Sequence, residues 1–534
     1  MSNRKKIIKF CTDLLKENEL LLLKSADTFF KCHYSSSPLA VLTGFLGTAG
    51  EAVVDKSGKI KIFVDPRYHL LVDKQVYPEI EVYKMNLGET FFDAFKKSYP
   101  KNSILHVEEN ISLKTYLRLD SYFDLRKYSL PEKYLKNLDF NTKENIFKIS
   151  DSFNKITFLQ KVEKIKKAYS KISQMLVFDL DEISYLTGLR SFQMQFSSNF
   201  RSILYLDLKN NNHVLFCDKI SKKNEINGLS FMYLSEFEGF ISSIDSEIAL
   251  SLENVSLKNY VSIKNPKELR KNHISTLASI RTSAEIDELK KSFKLLDEAI
   301  LSFKKRLKAG LSEYDLSQIF EEELYKKGAK SLSFKTILAL EENSASIHYS
   351  TADKNKILKN ESVILLDCGG YFENGFATDI TRTFYFGKNP KQIYKTIYTN
   401  VLKAFIDCYL SNETSAKQLD LIARKNLEKF SKIGFLFNHG LGHGIGTSVH
   451  QNPPLLSMKS KDIIKPYQVH SIEPGLYGKT DDGCEFGVRI ENCVYSDLNF
   501  KKISLSKFPF EEVLIDYNLL NKNEKDFVQN WNNQ

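Results

Sequence analysis

The stretch that most constrains the fold is FNHGLGHGIGTSVHQNPP, at residues 437–454. It carries the histidines His439, His443 and His450, with glycine at every second position from 440 to 446. Two histidines four residues apart are typical of a zinc-binding helix, but each interior glycine costs a helix about 1 kcal/mol relative to alanine. Alternating glycine instead lets another backbone approach closely. The stretch therefore predicts strand or loop that lines a site, and histidine is a common metal ligand.

Four acidic residues of the C-terminal half lie within or at the end of predicted strands, where acidic residues are depleted. These residues, each with its predicted strand, are Asp367 in 362–367, Asp379 in 377–386, Glu473 in 467–473 and Glu491 in 485–494. Burying a carboxylate is costly unless it is paired or binds a metal, and lysine partners could account for one or two of the four. Four carboxylates and a histidine suit a pair of divalent ions such as Mn²⁺, with Zn²⁺, Co²⁺ or Fe²⁺ as alternatives.

Two other kinds of site are excluded by their motifs. The chain contains no HExxH sequence, so a single-zinc helical protease is unsupported. The triplet GKT at 478–480 resembles the end of a P-loop, but position 473, where that motif requires glycine, is glutamate.

The pattern along the chain predicts three domains, 1–142, 143–272 and 273–534. The first two regions each carry LTG, at 42–44 and 186–188, followed by a predicted hairpin, which favours a duplicated α/β module. The third region opens with an amphipathic helix that has a capping box at 282–285 and is expected to end at Gly310. Its later helices and strands cluster separately, which predicts an α+β domain with a largely antiparallel sheet.

Composition limits the partners and the compartment. Of 534 residues, 76 are basic and 66 acidic, and the basic residues are dispersed, so we expect a solvated surface and no nucleic-acid partner. The seven cysteines show no CxxC spacing, which favours reduced thiols in the cytoplasm. Apolar runs near the N-terminus are about four residues long, too short for a signal peptide or a membrane span. We therefore expect a soluble cytoplasmic protein without a membrane partner.

Five elements of the third region occur in a fixed order, namely Asp367, TDITRT at 378–383, HGLGHGIG at 439–446, EPGLY at 473–477 and VRIE at 488–491. In order and sequence they resemble the Xaa-Pro aminopeptidases (aminopeptidase P), pita-bread metallopeptidases related to prolidase, methionine aminopeptidase and creatinase. Upstream, LTGFLGTAG at 42–50, DPRY at 65–68 and LDEISYL at 180–186 resemble the first two domains of the three-domain form. The resemblance implies a C-terminal pita-bread catalytic domain, preceded by two related α/β creatinase N-terminal-type domains, in a homodimer.

The resemblance also implies two divalent metal ions, with Mn²⁺ expected and Zn²⁺ or Co²⁺ possible. It assigns Asp367 to one ion, Asp379 and Glu491 as bridges between both, and His443 and Glu473 to the second ion. Asp367 and Asp379 are one residue further apart than the family pattern has them, and residues 370–376 form a predicted loop that can absorb the difference.

The remaining site residues are likewise implied by the resemblance. Glu473 would also move a proton to the leaving nitrogen. His348 and His450 match histidines that hold the substrate and stabilise the oxyanion, and His439 matches one that lines the substrate pocket. Arg489 would orient Glu491 or help to fix the substrate.

The implied activity is hydrolysis of the N-terminal Xaa-Pro bond of peptides by a water between the two ions. A proline nitrogen donates no hydrogen bond and its ring is rigid, so a dedicated pocket is reasonable, but proline specificity rests on the resemblance. One alternative is a prolidase, which prefers Xaa-Pro dipeptides. The other is a pita-bread binding protein without catalysis, which the presence of all five expected ligands disfavours.

Overall fold

The computed structural model describes residues 3–24, 37–131, 145–150, 153, 155–218, 225–349 and 351–533. The chain divides into two compact units. The first comprises Met1–Ile146, Phe158–Thr187 and Phe200–His273, and the second comprises Phe147–Thr157, Gly188–Asn199 and Ile274–Gln534. The boundary predicted between residues 142 and 143 lies outside the described residues, and the division into three domains stays a prediction.

The N-terminal third of the chain alternates short helices with strands. In chain order these are α1 (Asn3–Leu14), β1 (Leu20–Lys24), α2 (Pro38–Thr43), β2 (Gly50–Asp55), β3 (Ile60–Val64), α3 (His69–Gln75), β4 (Glu81–Lys84), α4 (Phe91–Ser98), β5 (Ile104–Glu108), α5 (Leu113–Asp120) and β6 (Asp124–Tyr128). The hairpin predicted after the first LTG is present as β2 and β3.

The same alternation follows after residue 145. The elements are β7 (Phe147–Lys148), α6 (Phe158–Ala168), β8 (Gln174–Val177), α7 (Leu180–Thr187), β9 (Leu189–Arg190), β10 (Ser202–Asp207), β11 (His213–Cys217), β12 (Leu229–Tyr233), α8 (Phe237–Ser242), β13 (Ile248–Leu250), α9 (Leu257–Val261), β14 (Pro266–Glu268) and α10 (His273–Ser279).

The first unit contains two six-stranded sheets with the same topology. Their orders are β4-β3-β2-β1-β5-β6 and β12-β11-β10-β8-β13-β14. In both sheets the two central hairpin pairs are antiparallel and the remaining pairs are parallel. The predicted duplication of an α/β module is therefore confirmed, although only the LTG triplet and the hairpin marked it in the sequence.

The C-terminal region contains longer helices and short strands. They are α11 (Ser283–Lys305), α12 (Glu313–Lys326), β15 (Ser331–Leu332), β16 (Ile337–Leu340), β17 (Ser362–Cys368), β18 (Gly370–Tyr371), β19 (Ile380–Phe386), α13 (Gln392–Leu410), α14 (Ala416–Leu427), β20 (Phe435–Leu436), β21 (Gly442–His443), β22 (Leu455–Leu456), β23 (Val469–Ile472), β24 (Gly475–Lys479), β25 (Glu485–Arg489), β26 (Asn492–Ser496), β27 (Lys502–Ser504) and α15 (Lys522–Asn532).

Every strand pairing described in this region is antiparallel. Three-stranded sheets form in the orders β16-β17-β19, β20-β24-β25 and β23-β26-β27. The predicted α+β class with an antiparallel sheet is confirmed. The single strand predicted at 485–494 is wrong, because the chain leaves β25 at Ile490 and enters a different sheet as β26, which puts Glu491 at the crossing.

Helix α11 begins as its capping box predicts but ends early. The Thr282 side chain accepts a hydrogen bond from the Glu285 backbone N–H, and the Glu285 carboxylate accepts one from the Thr282 backbone N–H. The helix ends at Lys305 and not at Gly310, which lies in the following turn with φ +95°. The backbone N–H of Gly310 donates to the Leu358 carbonyl oxygen, so a tertiary contact draws the chain away before the glycine is reached.

Strand β17 leads into the site and is buried along its whole length. Ile364 and Leu366 pack in the apolar cluster that includes the buried faces of α11 and α12, whereas Val363 and Leu365 belong to other clusters. Each such side chain stabilises the fold by about 1.5–3 kcal/mol when fully buried, which holds the end of β17 rigidly. Among the described residues, no helix combines the length and the apolar character needed to cross a bilayer.

Candidate metal centre

Five acidic and histidine side chains of the second unit lie where strands begin, end or break. They are Asp367 near the end of β17, Asp379 directly before β19, His443 in β21, Glu473 directly after β23 and Glu491 between β25 and β26. Because β17 and β19 are antiparallel neighbours, with Asp367 opposite Thr381, the end of one strand lies beside the start of the next. The topology thus brings together carboxylates that are distant in sequence.

Asp379, His443 and Glu491 form a buried cluster able to hold a metal ion. Each offers one ligand atom, and these atoms lie within 4.8 Å of one another. The Nε2 atom of His443 lies 3.6 Å from an oxygen of Asp379 and 3.3 Å from Oε1 of Glu473. Ser471 donates a 3.1 Å hydrogen bond to that Glu473 oxygen and accepts one from the His443 backbone. Ser471 therefore orients two neighbouring members of the group.

The His443 ring directs a lone pair at its acidic neighbours. Burial lowers the pKa of His443 to about 4, so the ring is neutral at neutral pH. Its Nδ1 atom lies 3.2 Å from the Gly444 carbonyl oxygen. With the proton assigned to Nδ1 on that basis, the Nε2 lone pair faces Asp379 and Glu473. Acceptors that face one another without a proton between them repel, and a cation among them removes that repulsion.

The carboxylates of the candidate centre are only partly satisfied by hydrogen bonds from the described residues. One oxygen of Asp367 and one of Glu491 are buried and accept no hydrogen bond from any described residue. Burial raises the pKa of Asp379 well above its ordinary value, and the charges of Glu491, Asp367 and Glu473 raise it further. Burial also raises the pKa of Glu491 well above its ordinary value. Because unpaired buried carboxylates are costly, this oxygen-rich donor set with a neutral imidazole fits divalent cations.

Arg489 supplies a positive charge beside the cluster. Its guanidinium donates hydrogen bonds to Asp367, to Thr381 over 3.0 Å and to the Tyr477 hydroxyl over 2.7 Å. Thr381 in turn donates to Glu491 over 2.7 Å. Arg489 thus contacts Asp367 directly and Glu491 only through Thr381. The arginine is 2% exposed, which favours an orienting role over contact with a substrate.

Two of the histidines expected to meet substrate lie beside this cluster. His450 is exposed, and its ring centroid lies 4.1 Å from that of His443. His439 is buried, with Nε2 3.0 Å from the Tyr477 hydroxyl and Nδ1 3.9 Å from an oxygen of Glu473. One histidine thus faces solvent next to the candidate metal ligands, and the other is tied to the network of Arg489.

The third, His348, is half-buried and connects to the centre through its neighbour. The carbonyl oxygen of Ile347 accepts a 3.4 Å hydrogen bond from Arg489. The backbone that carries His348 therefore touches the same arginine that orients Asp367. The substrate-side roles of the three histidines stay predictions.

The alternating glycines allow other backbone segments to pack closely against the stretch, as their spacing predicts. A Cβ atom at Gly442 would lie 2.2 Å from the Ser471 carbonyl oxygen, and one at Gly444 would lie 2.1 Å from that of Gln451. Residues 437–454 form loop with one short strand and no helix, so the prediction of strand or loop is confirmed.

Gln451 and Arg281 hold the loop that carries His450. The Gln451 side-chain oxygen accepts hydrogen bonds from the Thr447 backbone over 2.8 Å and from Arg281 over 3.2 Å. Arg281 also donates to the Ile445 carbonyl oxygen over 2.9 Å. Both ends of the loop are thereby tied to one buried guanidinium.

Sequence reasoning missed several of these supporting side chains. Thr381 follows Asp379 by two residues, the spacing of one strand face, so the strand pattern could have marked it. Arg281 and Gln451 are 170 residues apart, and no local pattern links them.

A sequence profile for metallopeptidase family M24 matches residues 287–496, the segment that contains all five candidate ligands. This segment is therefore a metallopeptidase family M24 domain. The M24 segment begins within α11 and ends with β26, so it covers the strands that converge on the candidate centre. A metallopeptidase domain makes the protein a hydrolase, as its motifs predict.

The likeness to known proteins extends upstream of the M24 domain. Xaa-Pro aminopeptidase 1 of Dictyostelium discoideum is 27% identical over 553 residues, which cover 92% of this chain and 85% of that protein. The crystal structure of X-prolyl aminopeptidase from Caenorhabditis elegans, described as a cytosolic enzyme with a di-nuclear active site, matches with a TM-score of 0.86 at 20% identity. It covers 99% of this chain and 95% of that chain.

A prolidase is similar over a shorter span. The structure of the prolidase from Pyrococcus horikoshii OT3 has a TM-score of 0.56 at 23% identity and covers 66% of this chain and 99% of that chain. At these identities the structural likenesses show the fold alone, and the predicted pita-bread domain with its α/β domains upstream is confirmed.

Proposed function

We propose that the chain is a metal-dependent Xaa-Pro aminopeptidase, which releases the N-terminal residue from peptides with proline in second position. The observation that carries this proposal is the buried donor cluster of Asp379, His443 and Glu491, with its unpaired carboxylate oxygens. Likeness to Xaa-Pro aminopeptidase 1 of Dictyostelium discoideum over most of both chains supports the substrate class.

The cluster is proposed to bind two divalent cations, with Mn²⁺ the first choice because the donors are mostly hard oxygens. Asp367 would hold one ion, His443 and Glu473 would hold the other, and Asp379 and Glu491 would be shared by both. When bound, two such cations supply Lewis acidity that lowers the pKa of water towards neutrality and polarises a carbonyl. The di-nuclear active site named for the Caenorhabditis elegans enzyme supports the number of ions.

Side chains around the centre are proposed to bind the peptide and move its proton. His348 and His450 hold the scissile carbonyl and stabilise the charge that develops on its oxygen, while His439 lines the pocket. Hydrolysis adds the oxygen of water to the carbonyl carbon and breaks the bond to the proline nitrogen, which has no hydrogen of its own. Glu473 takes the proton from the water and gives it to that nitrogen as it leaves.

The extent of the fold favours an aminopeptidase over a prolidase. The Pyrococcus horikoshii prolidase covers only 66% of this chain, whereas the Caenorhabditis elegans enzyme covers 99%. We therefore expect kcat/KM for Xaa-Pro-Yaa tripeptides to exceed that for Xaa-Pro dipeptides by about tenfold or more, which one added binding contact can supply. The assay uses both substrates with and without Mn²⁺, and preference for the dipeptide would identify a prolidase instead.

A non-catalytic binding protein is the remaining alternative. The protein purified without chelator is expected to contain about two divalent ions per chain, the number that five ligands with bridging carboxylates hold in two-metal sites. Absence of both bound metal and Mn²⁺-stimulated turnover would favour the binding protein.

The compartment and the assembly are parts of the same proposal. A cytoplasmic location is supported by the cysteine pattern and by the cytosolic description of the Caenorhabditis elegans enzyme. A homodimer follows from the family resemblance, and light scattering at micromolar concentration tests it by giving twice the mass of one chain.

A further inference from the structure

Glu313, the first residue of α12, carries a fully buried carboxylate that accepts four hydrogen bonds. One oxygen accepts from the Leu340 backbone N–H at 2.7 Å and from the Asn343 side-chain amide at 3.0 Å. The other accepts from the Tyr349 hydroxyl at 2.6 Å and from the Asp353 backbone N–H at 2.9 Å. The four donors are uncharged, and they come from one segment of chain, residues 340–353.

The acceptor positions of Glu313 are all in use, which favours the ionised form. A carboxylate offers about four lone-pair sites, so a protonated oxygen here would direct its O–H at another donor. Burial raises the pKa of Glu313, and its four hydrogen bonds oppose that rise. No described lysine or arginine forms an ion pair with it. The charge is therefore stabilised by the arrangement of the 340–353 segment, and that arrangement depends on the charge.

The donors to Glu313 lie on both sides of His348. Asn343 precedes it, Tyr349 follows it directly, and the two are joined by a 3.0 Å hydrogen bond from the Asn343 amide to the Tyr349 hydroxyl. Between them, Ile347 accepts from Arg489 of the candidate centre. The Glu313 carboxylate thus holds the segment at its four donors. Arg489, which also contacts the candidate ligand Asp367, holds the same segment at Ile347.

We propose that Glu313 is a positioning residue for the peptidase reaction, which sets the place of His348 relative to the candidate metal centre. The proposal rests on the proposed function, because it concerns the side chain that holds the scissile carbonyl. It assigns a role in turnover to a carboxylate whose four hydrogen-bond donors lie outside the five candidate metal ligands.

The variant Glu313→Gln tests this role with little change in volume. A glutamine amide has one acceptor oxygen, so at most two of the four donors keep an acceptor. We expect kcat/KM for an Xaa-Pro-Yaa peptide to fall about 10- to 100-fold, as expected for a misplacement of about 1 Å. The fall should lie mostly in kcat, and the content of bound Mn²⁺ should be unchanged because no ligand is altered.

Glu323→Gln is the matched control, since Glu323 lies on the same helix and pairs with Arg306 over 2.6 Å and Lys326 over 3.1 Å. This variant removes an acidic group of α12 that does not contact residues 340–353, and kcat/KM should stay within about twofold of wild type. An equal fall in both variants would mean that α12 affects activity only through stability, and it would overturn the proposal.

A double-mutant cycle with His348→Ala separates positioning from a general structural effect. If Glu313 acts through His348, Glu313→Gln should lower kcat/KM by less than about twofold in the His348→Ala background. The full fall in that background, or wild-type kcat/KM for Glu313→Gln alone, would overturn the inference. Should Glu313→Gln not fold, Tyr349→Phe removes a single donor and should lower kcat/KM in the same His348-dependent way; no such fall overturns the inference as well.

The wild-type assay distinguishes this inference from the function on which it rests. An active wild type with an equally active Glu313→Gln variant refutes the positioning role alone. A wild type that hydrolyses no Xaa-Pro-Yaa peptide with Mn²⁺ refutes the proposed function and the positioning role together.

Discussion

Buried acidic residues of the two units differ in how their charge is balanced. In the first unit, Glu51 of β2 forms a 2.8 Å ion pair with Lys24 of the neighbouring β1. In the second unit, Asp379 and Glu491 are buried, and neither forms an ion pair with a described lysine or arginine. Glu51 of the first unit is balanced by a lysine of its own sheet, whereas the second unit presents carboxylates that a cation from solution can balance.

The difference shows why burial alone does not identify a metal site. A strand carboxylate with a lysine opposite is an ordinary structural pair, whereas several converging carboxylates with unpaired oxygens are costly without an added positive charge. Arg489 contributes one such charge at Asp367, yet oxygens of both Asp367 and Glu491 still accept no hydrogen bond from the described residues.

The largest effect is expected from Asp379→Asn, which removes a charge from the centre of the cluster. We expect kcat/KM to fall at least about 10³-fold, because the bound cations account for several kcal/mol of transition-state stabilisation. Metal analysis should show fewer ions per chain. In chelator, thermal unfolding should show the variant at least as stable as wild type, because Glu491 and Asp367 no longer repel a charge at position 379. Retained turnover would show that Asp379 is not a ligand.

The next largest effect is expected from Gly446→Ala, in the loop that carries His450. A Cβ atom there would lie 1.4 Å from the Gln451 side-chain oxygen and 2.4 Å from Arg281, so the loop must move. We expect kcat/KM to fall about 10- to 100-fold, with the metal content retained. The control is Gly58→Ala in the first unit, where φ is +83° and the nearest atom lies 3.4 Å away. It should cost stability of about 1 kcal/mol and leave turnover unchanged; if Gly446→Ala also left turnover unchanged, the loop would not constrain the reaction.

A smaller effect is expected from pH on the metal-free protein. Burial raises the pKa values of Asp379 and Glu491, so above the unfolded pKa values the folded chain binds more protons, and the free energy of unfolding falls as pH rises. Burial lowers the pKa of His443 to about 4, so this residue makes the free energy of unfolding rise with pH only up to its ordinary pKa of 6.5. Burial lowers the pKa of Lys502 to about 8, so this residue makes the free energy of unfolding rise with pH only above about pH 8. Between pH 6.5 and 8 the buried carboxylates therefore dominate. Glu182 of the first unit, whose pKa burial also raises well above its ordinary value, adds to the same fall.

Thermal unfolding in chelator across that window should show the melting temperature decreasing by a few degrees, on the order of 2–4 °C for each kcal/mol. Asp379→Asn should reduce the slope, and saturating Mn²⁺ should leave only the contribution of Glu182. A melting temperature that rises with pH in chelator would mean that the charge of the acidic cluster is balanced within the protein, as the charge of Glu51 is balanced by Lys24 in the first unit.

The smallest effect is expected from Glu51→Gln, which removes the paired acid of the first unit. We expect a loss of about 1 kcal/mol or less in the free energy of unfolding, measured by urea titration, with kcat/KM and metal content unchanged. A loss of bound metal in this variant would contradict the separation of the two kinds of acidic site.

Local patterns were sufficient to predict much of the fold. The capping box at Thr282 and the apolar run of β17 were predicted near their observed positions, because each depends on spacing within a few residues. The duplicated module was predicted from a triplet and a hairpin, while its six-strand order could not be, since strand order is set by pairing between distant segments.

For the candidate site, the sequence was enough to predict which residue types supply ligands and in which order. It was not enough to predict which of their charges are balanced by other side chains. The acidic residues at strand ends predicted carboxylate ligands for a metal ion, and the glycine-rich stretch predicted close approach of backbone to the site. Tertiary structure alone decided that Asp367 faces Arg489, 122 residues away, that Glu491 stands at a crossing between two sheets, and that Glu313 supports the segment of His348. The physical reason is that glycine spacing acts on the local backbone, whereas the cost of a buried charge depends on every group that the fold brings around it.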